Sequence, residues 1–324
     1  VVAVDGEETE LPASAADKPA AAAAELSATK TMAAAKCEAT FYKNEIYNNT
    51  KAGLMITGGA CPWVEENLLR DGEAAAILVS EASSGVLKGN TIRGHAKTEV
   101  QVCDEGSHPL IVGNTISESR AGGLLIFRGA SAIVRGNTIR GNTTANVRLA
   151  EAATARLEGN TIMNGEDCGV AICSGASGVL ADNTIGGLHK KAAVLIYGVR
   201  TNPILLRNTI EGSEQAGVYM YAGAKGTIED CELRGNTGPN MIITEESDPL
   251  VHKCSIHSSD DCGVLVHQDG KGILQHNNVY NNRTYGVVVL TGGSSLLQHN
   301  WLHGRRQGGL LVDEGGVCEV TKNS

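Results

Sequence analysis

The residues in this chain able to do chemistry are few, and their spacing decides which can act together. Carboxylates come in pairs at Glu166-Asp167 and Asp260-Asp261. Two carboxylates flanking one bond cleave glycosides, and several on neighbouring strands hold calcium beside an Arg or Lys base. These two pairs occupy equivalent places four repeats apart, and Arg148 sits among apolar neighbours with no Asp cluster beside it. Cys231 and Cys254 stand one repeat apart, close enough for a disulfide or half a metal site, although two small buried thiols explain them as well. His276 and His299 share one column, and His257 and His303 another, without the Cys, Asp or Glu spacing of a zinc motif. No catalytic residue, metal ligand or cofactor is therefore assigned. What remains is a group of rings and one cation, Phe127, Arg148, Tyr197, Tyr219, Tyr221 and His267, whose meaning depends on the elements that carry them.

Those elements are copies of one another. An anchor column runs Asn44, Asn67, Asn90, Asn114 and onward to Asn323, with Cys231 and Cys254 standing in for Asn. The anchors recur every 23 residues except between Asn90 and Asn114 (24) and between Asn183 and Asn208 (25). Two residues after each anchor and three before it the residue is always apolar, as in Ile139, Ile162, Ile185 and in Val134, Leu157, Leu180. A third apolar block begins ten residues after the anchor, as in Val170-Ala171-Ile172, often behind a Gly such as Gly123 or Gly169 where a sharp turn is expected.

Three short β-type runs per repeat, parted by Gly, Asn, Asp and Ser, predict an all-β right-handed parallel β-helix. It has about twelve coils of 23 residues with three short strands each, roughly 55–60 Å long. Stacked Asn side chains form an amide ladder, and Asn tolerates the left-handed backbone a corner wants. Residues 37–324 carry this solenoid. Residues 1–5 read as a strand of a preceding coil and residues 6–36 as an Ala-rich inserted loop, so the chain reads as a fragment of a longer solenoid.

The chain's net charge of −9 argues against nucleic acid and acidic membrane surfaces as partners. No apolar run is long enough for a membrane helix, and no secretory signal is evident at Val1. Nine scattered Cys favour reduced thiols, hence an intracellular setting, although the sequons at Asn48, Asn142 and Asn282 leave secretion open.

In the third apolar block the middle residue should face outward, yet that column is apolar or aromatic except at Gln101 and Arg148: Met55, Leu78, Leu125, Ala171, Leu195, Tyr219, Ile242, Leu265, Val288, Leu311. Such a stripe marks a binding face or a covered one. The corner before the anchor alternates between a Pro form (Cys61-Pro62, Ser107-His108-Pro109, Thr201-Asn202-Pro203, Ser247-Asp248-Pro249) and a Gly form (Ser84-Gly85-Val86-Leu87, Ala224-Lys225-Gly226-Thr227-Ile228). With phrases such as Ala216-Gly217-Val218-Tyr219-Met220-Tyr221, residues 37–324 resemble the β-helix of F-box-only proteins. That resemblance implies a substrate receptor of a cullin-RING ubiquitin ligase. The expected function is a non-catalytic protein-interaction scaffold, as such a receptor or as a structural subunit of a large assembly. The alternative is a carbohydrate-active or carbohydrate-binding β-helix protein, of lyase, epimerase or hydrolase type, with the tyrosines stacking on sugars.

Overall fold

The computed structural model describes residues 39–304 and 307–324. The strand expected at 1–5 and the loop expected at 6–36 lie outside the described residues. From Thr40 to Thr321 the chain winds as a right-handed parallel β-helix of about twelve turns, and no helix interrupts it among the described residues.

One turn shows the plan. Ser131–Arg135 lies in a first sheet, A; a short corner leads to Thr138–Arg140 in sheet B; a longer corner leads to Val147–Leu149 in sheet C; and Thr154–Glu158 returns to sheet A one level up. Repetition builds parallel sheets of 13, 12 and 12 strands, every strand paired with its copies in the turns before and after. Register is strict: Ile139 pairs with Ile116 on one side and Ile162 on the other. Because side chains alternate across a strand, this register sends one residue per short strand inward and leaves its neighbours outside. Ile116, Ile139, Ile162 and Ile185 are fully buried, as are Val134, Leu157 and Leu180 from sheet A. Sheet C contributes two inward residues per strand, such as Val147 with Leu149 and Val170 with Ile172. Burying each such side chain is worth about 1.5–3 kcal/mol, and it is this aliphatic stack that makes the coils cohere.

The Asn ladder closes the A-to-B corner. Asn160 donates from Nδ2 to Asn183 Oδ1 at 2.9 Å and to Val134 O at 2.9 Å, while its backbone N–H also donates to Asn183 Oδ1 at 2.9 Å. The pattern runs from Asn44 to Asn208 and resumes from Asn277 to Asn323. One expectation is corrected. The left-handed residue is the one before the Asn, not the Asn itself: Lys43, Glu66, Asp182, Arg207 and His276 all have φ between 51 and 57°. The Asn side chain must point into the corner, and the turn is made beside it. A second correction concerns the Gly before sheet C. Gly123 is not at positive φ; a Cβ there would meet Asn146 O at 2.6 Å, so Gly is required by close approach of the next coil.

The B-to-C corner has its own buried polar fillings. Asn142 donates to Asn146 at 2.7 Å and Asn236 to Asn240 at 2.7 Å. In other coils His95 Nδ1 lies 2.6 Å from Glu99 Oε2, and buried His189 meets Gly165 O at 3.0 Å. Burial holds His189 below the usual imidazole range, against those backbone bonds.

Candidate functional site on the outward face of sheet C

Each sheet C strand directs two positions away from the barrel interior. The inner column runs Leu125, Arg148, Ala171, Leu195, Tyr219, Ile242, Leu265, and the outer column Phe127, Ala150, Cys173, Tyr197, Tyr221, Thr244, His267. The stripe is not bare. Ala171, Leu195 and Ile242 are only 5–7% exposed and join Ala145, Cys168, Ala192 and Ala216 in a second apolar cluster outside the barrel. Tyr197, Tyr219, Tyr221 and Leu265 pack over that cluster, so the tyrosines are half-buried rings on an apolar bed.

Register explains their meeting. Tyr197 pairs with Tyr221 and Leu195 with Tyr219 across adjacent turns. The Tyr197 and Tyr221 rings lie 4.9 Å apart and nearly parallel, and Tyr219 tilts against Tyr221 at 5.2 Å. Behind Tyr197 in the same column stands Cys173, and Arg148 reaches across to it with Nη2 3.7 Å from Sγ. Thus Arg148, Tyr197, Tyr219 and Tyr221 form one group. Phe127 lies three turns before Tyr197, capped by its neighbour Arg128 at 5.1 Å, and His267 lies two turns beyond Tyr221 with Thr244 between. Those two outlying residues share the face without joining the ring stack.

The electrostatics are uneven. Burial, then a hydrogen bond with Cys173, pushes the Tyr197 phenol well above its ordinary value. Tyr219 and Tyr221 are pushed up chiefly by burial. Burial pulls Arg148 down, but Cys173 and Tyr197 leave it raised on balance. All three phenols therefore keep their protons, and the guanidinium keeps its charge. Among the described residues no carboxylate pairs with Arg148, whereas Arg70, Arg135, Arg156, Arg207 and Arg234 are each paired. Along the entrance to sheet C, Lys191 meets Asp167 at 2.8 Å and Lys190 meets Glu166 at 3.9 Å. Asp167 raises Lys191, which also lies in the field of Tyr221.

Sequence reasoning missed Cys173 and Lys191. A signal for the second existed. The coil from Asn183 to Asn208 has two residues more than its neighbours, one on each side of the Tyr197 strand. Those extra residues lift Leu188 (73% exposed) and Val199 (70%) into solvent as rims. The only other departure from 23 residues among the anchors is the single extra residue between Asn90 and Asn114, so the two-residue insertion points to the place where the surface is most altered.

The remaining chemical candidates stay apart or serve the corner. Cys231 and Cys254 are buried in the Asn column, where Cys231 Sγ accepts from Asn208 N at 3.4 Å. His276 and His299 stack at 4.9 Å. No three His, Cys, Asp or Glu side chains among the described residues converge as metal ligands.

A model of the right-handed β-helix region matches residues 27–147, 101–202 and 189–324. Among curated proteins none matches the sequence. Similar solved structures include the periplasmic alginate epimerase AlgG, 13% identical with a TM-score of 0.68, over 83% of this chain and 78% of that one. The A-module of the Azotobacter vinelandii mannuronan C-5 epimerase AlgE4 is 11% identical with a TM-score of 0.56, over 81% of this chain and 91% of that one. Pectate lyase Pel9A is 11% identical with a TM-score of 0.51, over 77% and 70%. At such identities the likeness is one of fold. It nevertheless corrects the expected function, since similar solved structures are named alginate and mannuronan epimerases and a pectate lyase. The non-catalytic scaffold, in its ubiquitin-receptor and assembly-subunit forms, and the non-enzyme reading give way to the carbohydrate alternative. Of the expected resemblance, the right-handed β-helix repeat is shown and the likeness to F-box-only receptors is not.

Proposed function

The chain belongs to the right-handed β-helix family, and from that premise we propose that it is a carbohydrate-active protein holding an acidic polysaccharide along sheet C. The observation that carries this reading is the pairing of a stacked Tyr197–Tyr221 platform with the carboxylate-free Arg148. A sugar ring offers C–H groups to an aromatic face, whose π-cloud is its electronegative side. A uronate adds a carboxylate, for which a guanidinium is the fitting donor in geometry and charge. Sheet C repeats along the molecule with each turn, so successive sugars can lie on successive turns.

The fitting chemistry moves the proton beside a sugar carboxylate, as in epimerisation or β-elimination. Arg148 would neutralise the carboxylate and so stabilise the negative charge left when that proton passes to a base outside this group, whose phenols stay protonated. Tyr197, held as the neutral phenol by burial and Cys173, would donate a hydrogen bond on the same face. Alginate, mannuronan and pectate are the substrates supported by the similar structures.

The test is to titrate the chain with oligomannuronate and oligogalacturonate. Unsaturated uronate is followed by absorbance and C-5 inversion by NMR. Binding and turnover of at least one substrate are expected, with loss of turnover in Arg148→Ala. No binding of any acidic oligosaccharide, or an Arg148→Ala variant that turns over normally, overturns the reading.

A further inference from the structure

Sulfur interrupts the Asn column at Cys231 and again one turn later at Cys254. The strands that follow them pair Glu232 with Ser255 and Leu233 with Ile256, so the two cysteines stand level in adjacent turns. Backbone bonds bracket the pair: Asp230 N donates to His252 O at 3.1 Å, and Ser255 N to Cys231 O at 2.9 Å. Neighbouring strands of a sheet run about 4.8 Å apart, within the roughly 4.4–6.8 Å that separates the Cα atoms of a disulfide. Where other cysteines pair across turns they meet other residue types: Phe127 beside Cys103, Tyr197 beside Cys173 and Ser295 beside Cys318.

The two thiols have unequal surroundings. Asn208 aims its backbone N–H and its Nδ2 at Cys231 Sγ, at 3.4 Å and 3.8 Å, because in an unbroken ladder an amide oxygen would accept both. Cys254 adds its own S–H, and that bond, with those from Asn208, holds the Cys231 thiol below its ordinary value. Burial, then the bond to Cys231, pushes Cys254 well above its own. A sulfur eased toward thiolate beside one that keeps its proton suits attack by the first and resolution by the second.

We propose that Cys231 and Cys254 form a redox-sensitive clamp, two free thiols in the reduced chain and a disulfide between adjacent turns after oxidation by a peroxide. Both are 1% exposed, so the oxidant must be little larger than water. The Cys231 sulfur takes one oxygen of the peroxide as the O–O bond breaks, and water leaves with the Cys231 proton. Cys254 then attacks that sulfur, the S–O bond breaks, the S–S bond forms, and a second water carries off the Cys254 proton. Each sulfur gives up one electron and the peroxide takes two. The product is uncharged, as a site this deeply buried requires. The clamp bridges the turns where the amide ladder is missing. It involves none of the sheet C residues, so it stands apart from the carbohydrate reading.

The test exposes the reduced chain to equimolar hydrogen peroxide, alkylates the remaining thiols in urea and digests with trypsin without reduction. Trypsin leaves Cys231 in residues 226–234 and Cys254 in residues 254–271, the latter together with Cys262, so fragment spectra must place the link at Cys254. The link between Cys231 and Cys254 is expected at least tenfold above any other cysteine pair, and it should vanish with dithiothreitol. Oxidation in urea, which abolishes the register, should remove that preference. The oxidised parent should melt about 5 °C above the reduced one, a gain absent from Cys231→Ala/Cys254→Ala. The proposal is overturned by no such link in a chain that circular dichroism shows folded, by an equal share of it in urea, or by a link that leaves Tm unchanged.

Discussion

The A-to-B corner and the outward face of sheet C are made by the same turns of the same chain, yet they obey different rules. At the corner each turn repeats an Asn whose amide must meet the next Asn, so a change in one turn is felt in its neighbours. On sheet C adjacent turns carry Arg148, Ala171, Leu195 and Tyr219 at one position, and a second apolar layer absorbs the differences. Uniformity marks what the coil needs to exist. Variety on the same scaffold marks what it can be used for.

The largest effect should come from breaking the uniform side. Ile162→Asp would bury a lone carboxylate between Ile139 and Ile185, costing several kcal/mol, and thermal denaturation followed by circular dichroism should show loss of the folded state or a steep fall in Tm. Thr161→Asp, one residue away but outward, should melt close to the parent. Near-parental melting of Ile162→Asp would refute the register.

Asn160→Ala should cost about 1–3 kcal/mol, because Val134 O loses its donor and the waiting N–H groups lose their acceptor. The comparison sharpens in reverse with Cys231→Asn/Cys254→Asn, which restores the amides and should gain about 0.5–1.5 kcal/mol by chemical denaturation. A loss instead would show that the thiols pack better than amides there.

On the varied side, Tyr197→Ala/Tyr221→Ala should weaken acidic oligosaccharide binding by tenfold or more in calorimetric titration. Its Tm should change far less than that of Ile162→Asp, since both rings lie outside the barrel. If melting collapses while binding to the surviving folded fraction is normal, the rings are structural and the site is misplaced.

The smallest effects are those of pH. The tyrosines titrate above their ordinary value of about 10, so the folded state holds their protons more tightly than the unfolded one. Their contribution is whole below pH ~10 and drains as pH rises through the folded values, and Tyr197→Phe should flatten that decline. His189 has the opposite sense: its folded pKa is depressed, so its contribution is whole above pH ~6.5 and falls away as pH drops. Melting curves of His189→Gln between neutral and mildly acidic pH should show a shallower slope than the parent.

The coil was legible in the sequence because its order is one-dimensional: a strictly apolar residue two after each anchor can face only the interior. The ring group on sheet C was legible for the same reason, since a shared column with Tyr197 and Tyr221 one turn apart brings their rings together. Burial of Leu195 and Ile242 on the outward side was not, because it depends on small Ala neighbours in three other turns. Nor was the ring stack on sheet B: His257 and His303 were visible as a column, but that Tyr280 stacks between them and Trp301 over His303 was not, since these residues belong to different classes and no motif links them. The expected function missed because a lack of clustered Asp was taken as a lack of enzyme activity, whereas similar solved structures of this fold are named epimerases and a lyase.

The amide ladder also has a direction. Every Asn from Asn44 to Asn183 donates toward the following turn and is accepted by an amide oxygen there, and then Asn208 meets a sulfur at 3.8 Å. The joints from Asn208 to Cys231 and from Cys231 to Cys254 therefore run through sulfur contacts of 3.3 Å or longer in place of short amide bonds, until Cys254 N donates to Asn277 Oδ1 at 2.8 Å. Along the axis the side-chain ladder is at its weakest in those joints, and the sheet backbone bonds there carry the load alone.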